Sequence, residues 1–521
     1  MSPERELAEP HLRQVLAMAG LDVEYTRAEG NLMYWTDGGG AEVPVLDFAG
    51  GYGSLMLGHN PPEIIDYTKE LLERQVPIHA QFSRQPWANE VATALNRIIH
   101  RELGGDEPYY AIFANTGAEA IEAAVKHAEM DRGLRVAAAL DAVARHVEEA
   151  RAAVAAGTAA LDAAAGGAAT GGFEALADRV ARENAERLGR PPLFLALEGG
   201  FHGKLLGSVQ LTHNESYRLP FPELAARTRF VPLGEVAVLE KIVEEESGRL
   251  LDVEIVDGRV RLTERAFPVF CAFVLEPVQG EGGIRAVTRE FAAEIQRVAR
   301  AADFPVIVDE IQTGMGRSGA FFASSHIGLR GDYYALAKSL GGGIAKTSVM
   351  LVRQERYRPE FEVVHSSTFA KDGLSSRIAL KVLELLEADN GRAYRTAAEV
   401  GARLRTVLEA VAAEFPGVVR EVRGRGLMLG FEFFDQSDAE SGVLRELSRQ
   451  GFLGYGLAGY LLRRHRIRTF PTASAVNTLR FEPSILLDDT GIDRLGTALR
   501  DVCAVVRDQD EQRFTGANDH D

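Results

Sequence analysis

The first chemical signal in this chain is a pair of acids and a lysine, each delivered by a short apolar run. Val306-Ile307-Val308 reads as a strand buried on both faces. It ends in Asp309-Glu310, two acids that cannot lie buried without partners, and glycines at 314, 316 and 319 then turn the backbone sharply. Asp332-Tyr-Tyr-Ala-Leu-Ala-Lys338 reads as a second short strand that carries a lysine into Gly341-Gly342-Gly343. In open α/β sheets, ligands bind at the carboxyl ends of strands, so both ends are site candidates. A capping Asp at a strand-to-helix turn would account for the first stretch alone. The lysine adds more, because a desolvated lysine is the residue that forms Schiff bases. An acid that keeps a pyridinium nitrogen protonated completes what pyridoxal 5'-phosphate needs.

The stretch Asp309-Glu-Ile-Gln-Thr-Gly-Met-Gly-Arg-Ser-Gly319 resembles the most diagnostic motif of the class III, fold-type I pyridoxal-phosphate-dependent aminotransferases. Ornithine, acetylornithine and 4-aminobutyrate aminotransferases are members of that family. The resemblance runs, with two insertions, from about Asn31 to about Pro483, and further motifs follow in the family's order. It implies an α/β fold: a large domain with a mostly parallel central sheet flanked by helices, plus a smaller α+β domain. It also implies ping-pong transfer of an amino group between an amino-acid or amine donor, glutamate-like, and a carbonyl acceptor. A homodimer with shared active sites is part of the same expectation.

Roles follow from the resemblance residue by residue. Lys338 is the expected Schiff-base lysine and proton shuttle, and Asp309 the partner of the ring nitrogen. Lys346 is the rival lysine, but it follows the glycines, whereas the family's lysine precedes them. Gln312 is placed on the ring's phenolic oxygen, with Ile311 and Phe201 on opposite ring faces. Strand alternation through 306–311 would put residues 309 and 311 on one face. Tyr109–Ala114, a strand, runs through a glycine turn into a helix start, a ready anion site. It resembles the family's phosphate cup, with Thr116, Gly117 and Ala118 facing the phosphate. Thr368 matches a threonine that reaches the neighbouring subunit's phosphate. His202 and Glu276 complete the cofactor set. Tyr52, in a glycine loop, either touches substrate or simply packs. Glu281 matches a gating glutamate that pairs with a carboxylate-binding arginine, here Arg480. The chain departs from the family at Glu482, where an acid is unusual. No metal is implied.

These residues need a scaffold larger than one core. With 521 residues the chain exceeds the roughly 250–300 at which single cores stop growing. A net charge of −17 argues against nucleic-acid binding as the main role. No apolar run reaches the ~18 residues of a membrane span. The acidic start carries no signal-peptide pattern, and only Cys271 and Cys503 occur, so a cytoplasmic location is expected. The expected organisation is an N-terminal segment, 1–75, contributing to the small domain; a large cofactor domain, 76–365; a small domain, 366–507; and a disordered tail, 508–521.

Two stretches interrupt the large domain. Residues 131–190 contain 21 alanines, and Leu140, Val147, Val154 and Leu161 recur every seven residues. With Gly166-Gly167 and Gly171-Gly172 as the turn, the spacing predicts a self-contained helical hairpin whose arms pack on each other. A short linker replacing about residues 134–188 is then expected to leave cofactor binding intact. The hairpin is either a structural spur or a surface for a protein or carrier partner. Residues 251–263 alternate around Asp257-Gly258 and predict a β-hairpin with a type I′ turn, a surface addition. Three functions stay open on residues alone: a transaminase, an aminomutase or isomerase of the same fold, and a scaffold protein with secondary catalysis.

Overall fold

A computed structural model describes residues 10–80, 83–84, 86–162, 171–220 and 227–516. Seven strands form the central sheet: β1 Tyr109–Ala114, β2 Leu193–Leu197, β3 Arg227–Val231, β4 Phe270–Leu275, β5 Val306–Asp309, β6 Tyr333–Leu336 and β7 Ser348–Arg353. Their spatial order is β1-β7-β6-β5-β4-β2-β3, and β7 alone runs antiparallel to its neighbours. The apolar runs are explained by burial on both faces. Leu195, Phe273, Val306 and Val308 join one core cluster. Phe194, Val274 and Ile307 join the other, beneath Ala120, Ile121 and Ala124 of helix α1, Gly117–Ala155. The β5–β6 register pairs Asp309 with Ala335, which sets Lys338 just beyond the same edge.

A second, antiparallel sheet joins Val419–Arg425, Met428–Phe433, Thr478–Phe481 and Phe470–Pro471. In a third sheet, the N-terminal strand Glu42–Asp47 pairs in parallel with Ile467–Arg468 from far along the chain.

The helical insertion differs from the expected hairpin. Its first arm is the distal half of α1, one continuous helix from the phosphate cup to Ala155. The second arm is α2, Gly172–Leu188. Both arms lie on the β-hairpin Gly248–Val256/Arg259–Phe267 instead of chiefly on each other. Val143 and Ala150 of α1, Phe173, Leu176 and Val180 of α2, and Leu251, Val253 and Val260 of the hairpin share one apolar cluster. Asn184 fastens it, donating to Leu251 O (2.9 Å) and accepting from Leu251 N (2.7 Å). Residues Ala160–Leu161 even add a strand beside Arg259–Val260. A heptad stripe fixes which helix face is apolar, but not what covers it, so the two insertions became one subdomain. Leu140 lies outside that cluster, while Val147, Val154 and Leu161 flank it. The turn at Gly166-Gly167 lies outside the described residues.

The expected disordered tail is also corrected. The helix Asp489–Asp508 is followed by Glu511–Thr515, where Phe514 is buried and stacks on Tyr460 with centroids 5.9 Å apart. Residues 517–521 lie outside the described residues. Among the described residues, no helix is long and apolar enough to cross a membrane.

Candidate active site

The carboxyl ends of β4, β5 and β6, the loop after β2 and the start of α1 enclose a cavity of about 460 Å³. Asp309 and Lys338 both line it. Strand β5 stops at Asp309, so Ile311 is not on the strand as alternation had predicted. It reaches the same cavity through a tight turn, in which its N–H donates to Asp309 Oδ1 at 3.1 Å. The other carboxylate oxygen, Oδ2, lies 2.8 Å from His202 Nδ1. Burial disfavours a charged imidazole, but the hydrogen bond and charge of Asp309 outweigh it and hold His202 above its ordinary value. His202 Nε2 is buried without a hydrogen-bond partner among the described residues. The second acid, Glu310, is spent structurally on the N–H groups of Ala323 (3.1 Å) and Ser324 (2.7 Å).

Lys338 has a positive φ of 47°, a left-handed conformation that a non-glycine residue keeps only when its surroundings enforce it. Burial lowers its pKa, against the opposing pull of Glu482 and Glu281. A neutral amine is therefore easier to reach there than in water. Lys346 lines the same cavity from an exposed position.

The helix start leaves backbone donors bare beside the cavity. Thr116 and Glu119 form a capping box, with Glu119 Oε2 accepting from the N–H of Asn115 (2.7 Å) and Thr116 (2.9 Å). The first-turn N–H groups of Gly117 and Ala118 have no intrahelical acceptor and face the cavity at a positive helix end. Gly117 is required for close approach, since a Cβ there would lie 2.8 Å from Ile311 Cγ2.

Glu276 is buried and accepts from Phe201 N and Gly280 N, each at 3.0 Å. Burial raises its pKa to about 7. Gln312 donates from Nε2 to both oxygens of Glu482, at 2.7 and 3.0 Å. Gly280 makes room for this side chain, because a Cβ there would fall 2.0 Å from Gln312 Oε1. Arg317, fully buried, donates to the carbonyls of Gly53, Leu427, Glu482 and Pro483.

Near the same end, Arg480 donates from Nη1 to Glu281 Oε1 at 2.7 Å and from Nη2 to Glu281 Oε2. Ala473 N adds a donor to Glu281 Oε2 at 2.8 Å. Burial works against the Glu281 charge, yet Arg480 wins and holds that carboxyl below its usual range. Tyr52 lies under the guanidinium, 5.0 Å from ring centroid to Cζ, and stacks on Phe470.

The structure thus gathers Thr116, Gly117, Ala118, Phe201, His202, Glu276, Asp309, Ile311, Gln312 and Lys338 around one cavity. Thr368 is not among the residues around it; its carbonyl accepts from His79 Nε2 at 3.0 Å and the residue is exposed. The sequence reading missed Thr347, Asn115 and Gly203 in the cavity wall and the buried roles of Glu482 and Arg317. Thr347 arrives because antiparallel β7 pairs Ser348 with Ala114, beside the cup. No local pattern announces that reversal.

The residues present fit pyridoxal phosphate: a seat for its phosphate at α1, a buried acid for its ring nitrogen and an amine for its aldehyde. The family profile described as aminotransferase class-III matches residues 16–474. Among solved structures, the ornithine aminotransferase of Toxoplasma gondii is 22% identical, with a TM-score of 0.65 over 94% of this chain and 92% of that one. The omega-transaminase of Pseudomonas jessenii, solved with PMP, is 20% identical, with a TM-score of 0.68 over 96% and 97%. An omega-transaminase from Thermomicrobium roseum is 21% identical, with a TM-score of 0.69 over 97% and 96%. These likenesses show the fold, and the family match shows the chemistry: this chain belongs to the class-III aminotransferases and is a pyridoxal-phosphate-dependent transaminase.

Proposed function

We propose that this transaminase takes its amino group from a carboxylate-bearing donor of the glutamate type and passes it to a carbonyl acceptor, as the ornithine, acetylornithine and 4-aminobutyrate branch of the family does. The observation that carries this reading is the Arg480–Glu281 pair. A buried arginine with a two-pronged carboxylate partner is already shaped for a substrate carboxylate. Glu281 occupies that arginine until a dicarboxylate displaces it, and stays in place for a donor without a second carboxylate.

Bound in the cavity, pyridoxal phosphate supplies an aldehyde that condenses with amines and a ring that accepts electrons. The chain's own residues do the rest. The N–H groups of Gly117 and Ala118, with Thr116, hold the phosphate. Asp309 keeps a proton on the ring nitrogen, and His202 fixes its orientation. Phe201 and Ile311 confine the ring plane, and Gln312, oriented by Glu482, presents its amide at the ring's edge. Lys338 would hold the aldehyde through its Nζ, and the same amine, when free, would serve as the base and acid for the substrate's α-proton. Tyr52 closes the mouth against Arg480.

The working unit in this reading is a C2 homodimer, with Thr368 of the partner subunit on the phosphate. It is supported by the exposed apolar side chains beside Thr368: Val363 at 88%, Val364 at 65% and Phe369 at 62% exposure.

Borohydride reduction of the holoenzyme followed by peptide mapping is expected to label Lys338; a label on Lys346 overturns the assignment. Single-turnover amino transfer from glutamate should be fast, and Arg480→Ala should raise KM for glutamate roughly 100-fold, the loss of about 3 kcal/mol of charged hydrogen bonding. A simple monoamine donor should be unaffected. An enzyme that ignores glutamate, or an Arg480→Ala variant with unchanged KM, rules the donor class out.

A further inference from the structure

The two insertions meet the edge of the large domain in a second cavity, also of about 460 Å³, which shares no lining residue with the first. Arg132 of α1, Arg187 in the last turn of α2, Arg190 in the link just after it, Arg227 at the start of β3 and Arg249 of the hairpin all line it. Among the described residues, glutamates neutralise two of the five. Arg187 Nη1 lies 3.1 Å from Glu264 Oε1, and Arg227 Nη2 lies 2.7 Å from Glu246 Oε1, an oxygen that also holds Arg229. Among the described residues, Arg132 spends only Nε, on the carbonyl of Val269 at 3.0 Å. Among the described residues, the side chains of Arg190 and Arg249 form no ion pair or hydrogen bond, and one unpaired acid, Glu186, faces the three. Such a surplus of free guanidinium groups in one concavity stands out in a chain of net charge −17.

We propose that this cavity is a binding site for a small polyanion, a metabolite carrying phosphate or paired carboxylate groups. Guanidinium forks match the oxygens of both groups two at a time, which a point-charge lysine does not. The volume suits a metabolite-sized ligand. Its position suits a staple, because one ligand spanning Arg132, Arg190 and Arg249 joins α1, the link after α2 and the hairpin across the seam between subdomain and sheet. The site is independent of the donor's identity.

The test uses holoenzyme, so that the cofactor already fills the phosphate cup. Calorimetric titration at fixed ionic strength with pyrophosphate, and separately with citrate, should show saturable binding at one site per chain for at least one probe. Comparing the two says whether phosphate or carboxylate is preferred. The double variant Arg190→Ala/Arg249→Ala should weaken that binding at least about tenfold, the loss of two charged contacts in solvent-accessible positions. Its cofactor absorbance should not change. Saturable binding that survives the double substitution overturns the proposal, as does its absence for both probes. Should the variant fail to fold, hydrogen–deuterium exchange on wild-type holoenzyme decides: the winning probe must protect residues 186–190 and 247–250, and no protection there sinks the site.

Discussion

Gln312 and Glu482, both buried, are joined by an amide nitrogen 2.7 and 3.0 Å from the two carboxylate oxygens. The contact ties the turn after β5 to the segment that carries Arg480, and thus the cofactor cavity to the second sheet. Glu482→Ala leaves a buried amide without its acceptor, at about 1–3 kcal/mol. It should lower the melting temperature and cut kcat roughly tenfold. Glu482→Gln keeps an acceptor and removes only the charge. Since Glu482 favours protonated Lys338, its neutralisation should move the Lys338-dependent limb of the kcat profile to lower pH. Wild-type stability and rate in the alanine variant would show that the tie carries no weight.

The Asp309–His202 pair predicts a graded series. Asp309→Ala should lose at least about a hundredfold in kcat, because an unprotonated ring is a poor electron sink. His202→Ala should lose less, since it acts through Asp309. His202→Gln, which can still offer an N–H to Oδ2, should recover part of that loss. Steady-state rates at saturating donor settle the order, and equal rates for the two His202 variants would deny the orienting role.

Glu276 gives a pH prediction for stability. Its folded pKa is raised to about 7 from an ordinary 4.5, so the folded state binds a proton that the unfolded chain has released between those values. Its contribution is full below about 4.5 and is lost as pH rises through about 7, up to roughly 3 kcal/mol. Melting temperatures of the apoenzyme measured across pH 5–8 should fall on this account by about 1 °C per kcal/mol, because the unfolding entropy of a 521-residue chain is large. In Glu276→Gln that component of the slope should vanish. An unchanged slope refutes the assignment.

Trimming the helical insertion alone should fail. Replacing about residues 134–188 by a linker strips the cover from Leu251, Val253 and Val260, all buried in the intact chain. Each costs about 1.5–3 kcal/mol when exposed. That trimmed protein should aggregate or melt far lower, whereas removing the hairpin 248–267 as well should restore solubility and cofactor binding. Solubility and cofactor absorbance of the two trimmed proteins, compared side by side, give the answer; good behaviour in the first would mean the arms do not depend on the hairpin.

Much of the lining of the candidate site was legible because its signals are local. A short apolar run flanked by glycines reads as a buried strand, and an acid or lysine at its end stands at a sheet edge, so the places of Asp309 and Lys338 could be read in the chain itself. A glycine turn before a helix leaves its first N–H groups bare, so Thr116–Ala118 could be read as well. The tertiary structure decided what local pattern leaves undetermined. Ile311 reaches the cavity by a turn instead of a strand, because β5 stops short of the length that alternation needs. Glu482, an oddity in the chain, finds Gln312 and the carbonyl-bound Arg317 only when two distant segments are packed together. The alanine-rich arms and the β-hairpin, separated along the chain by strands of the central sheet, merge into one subdomain. An amphipathic stripe states that a face must be covered, and burial is non-directional, so only the folded arrangement selects the partner.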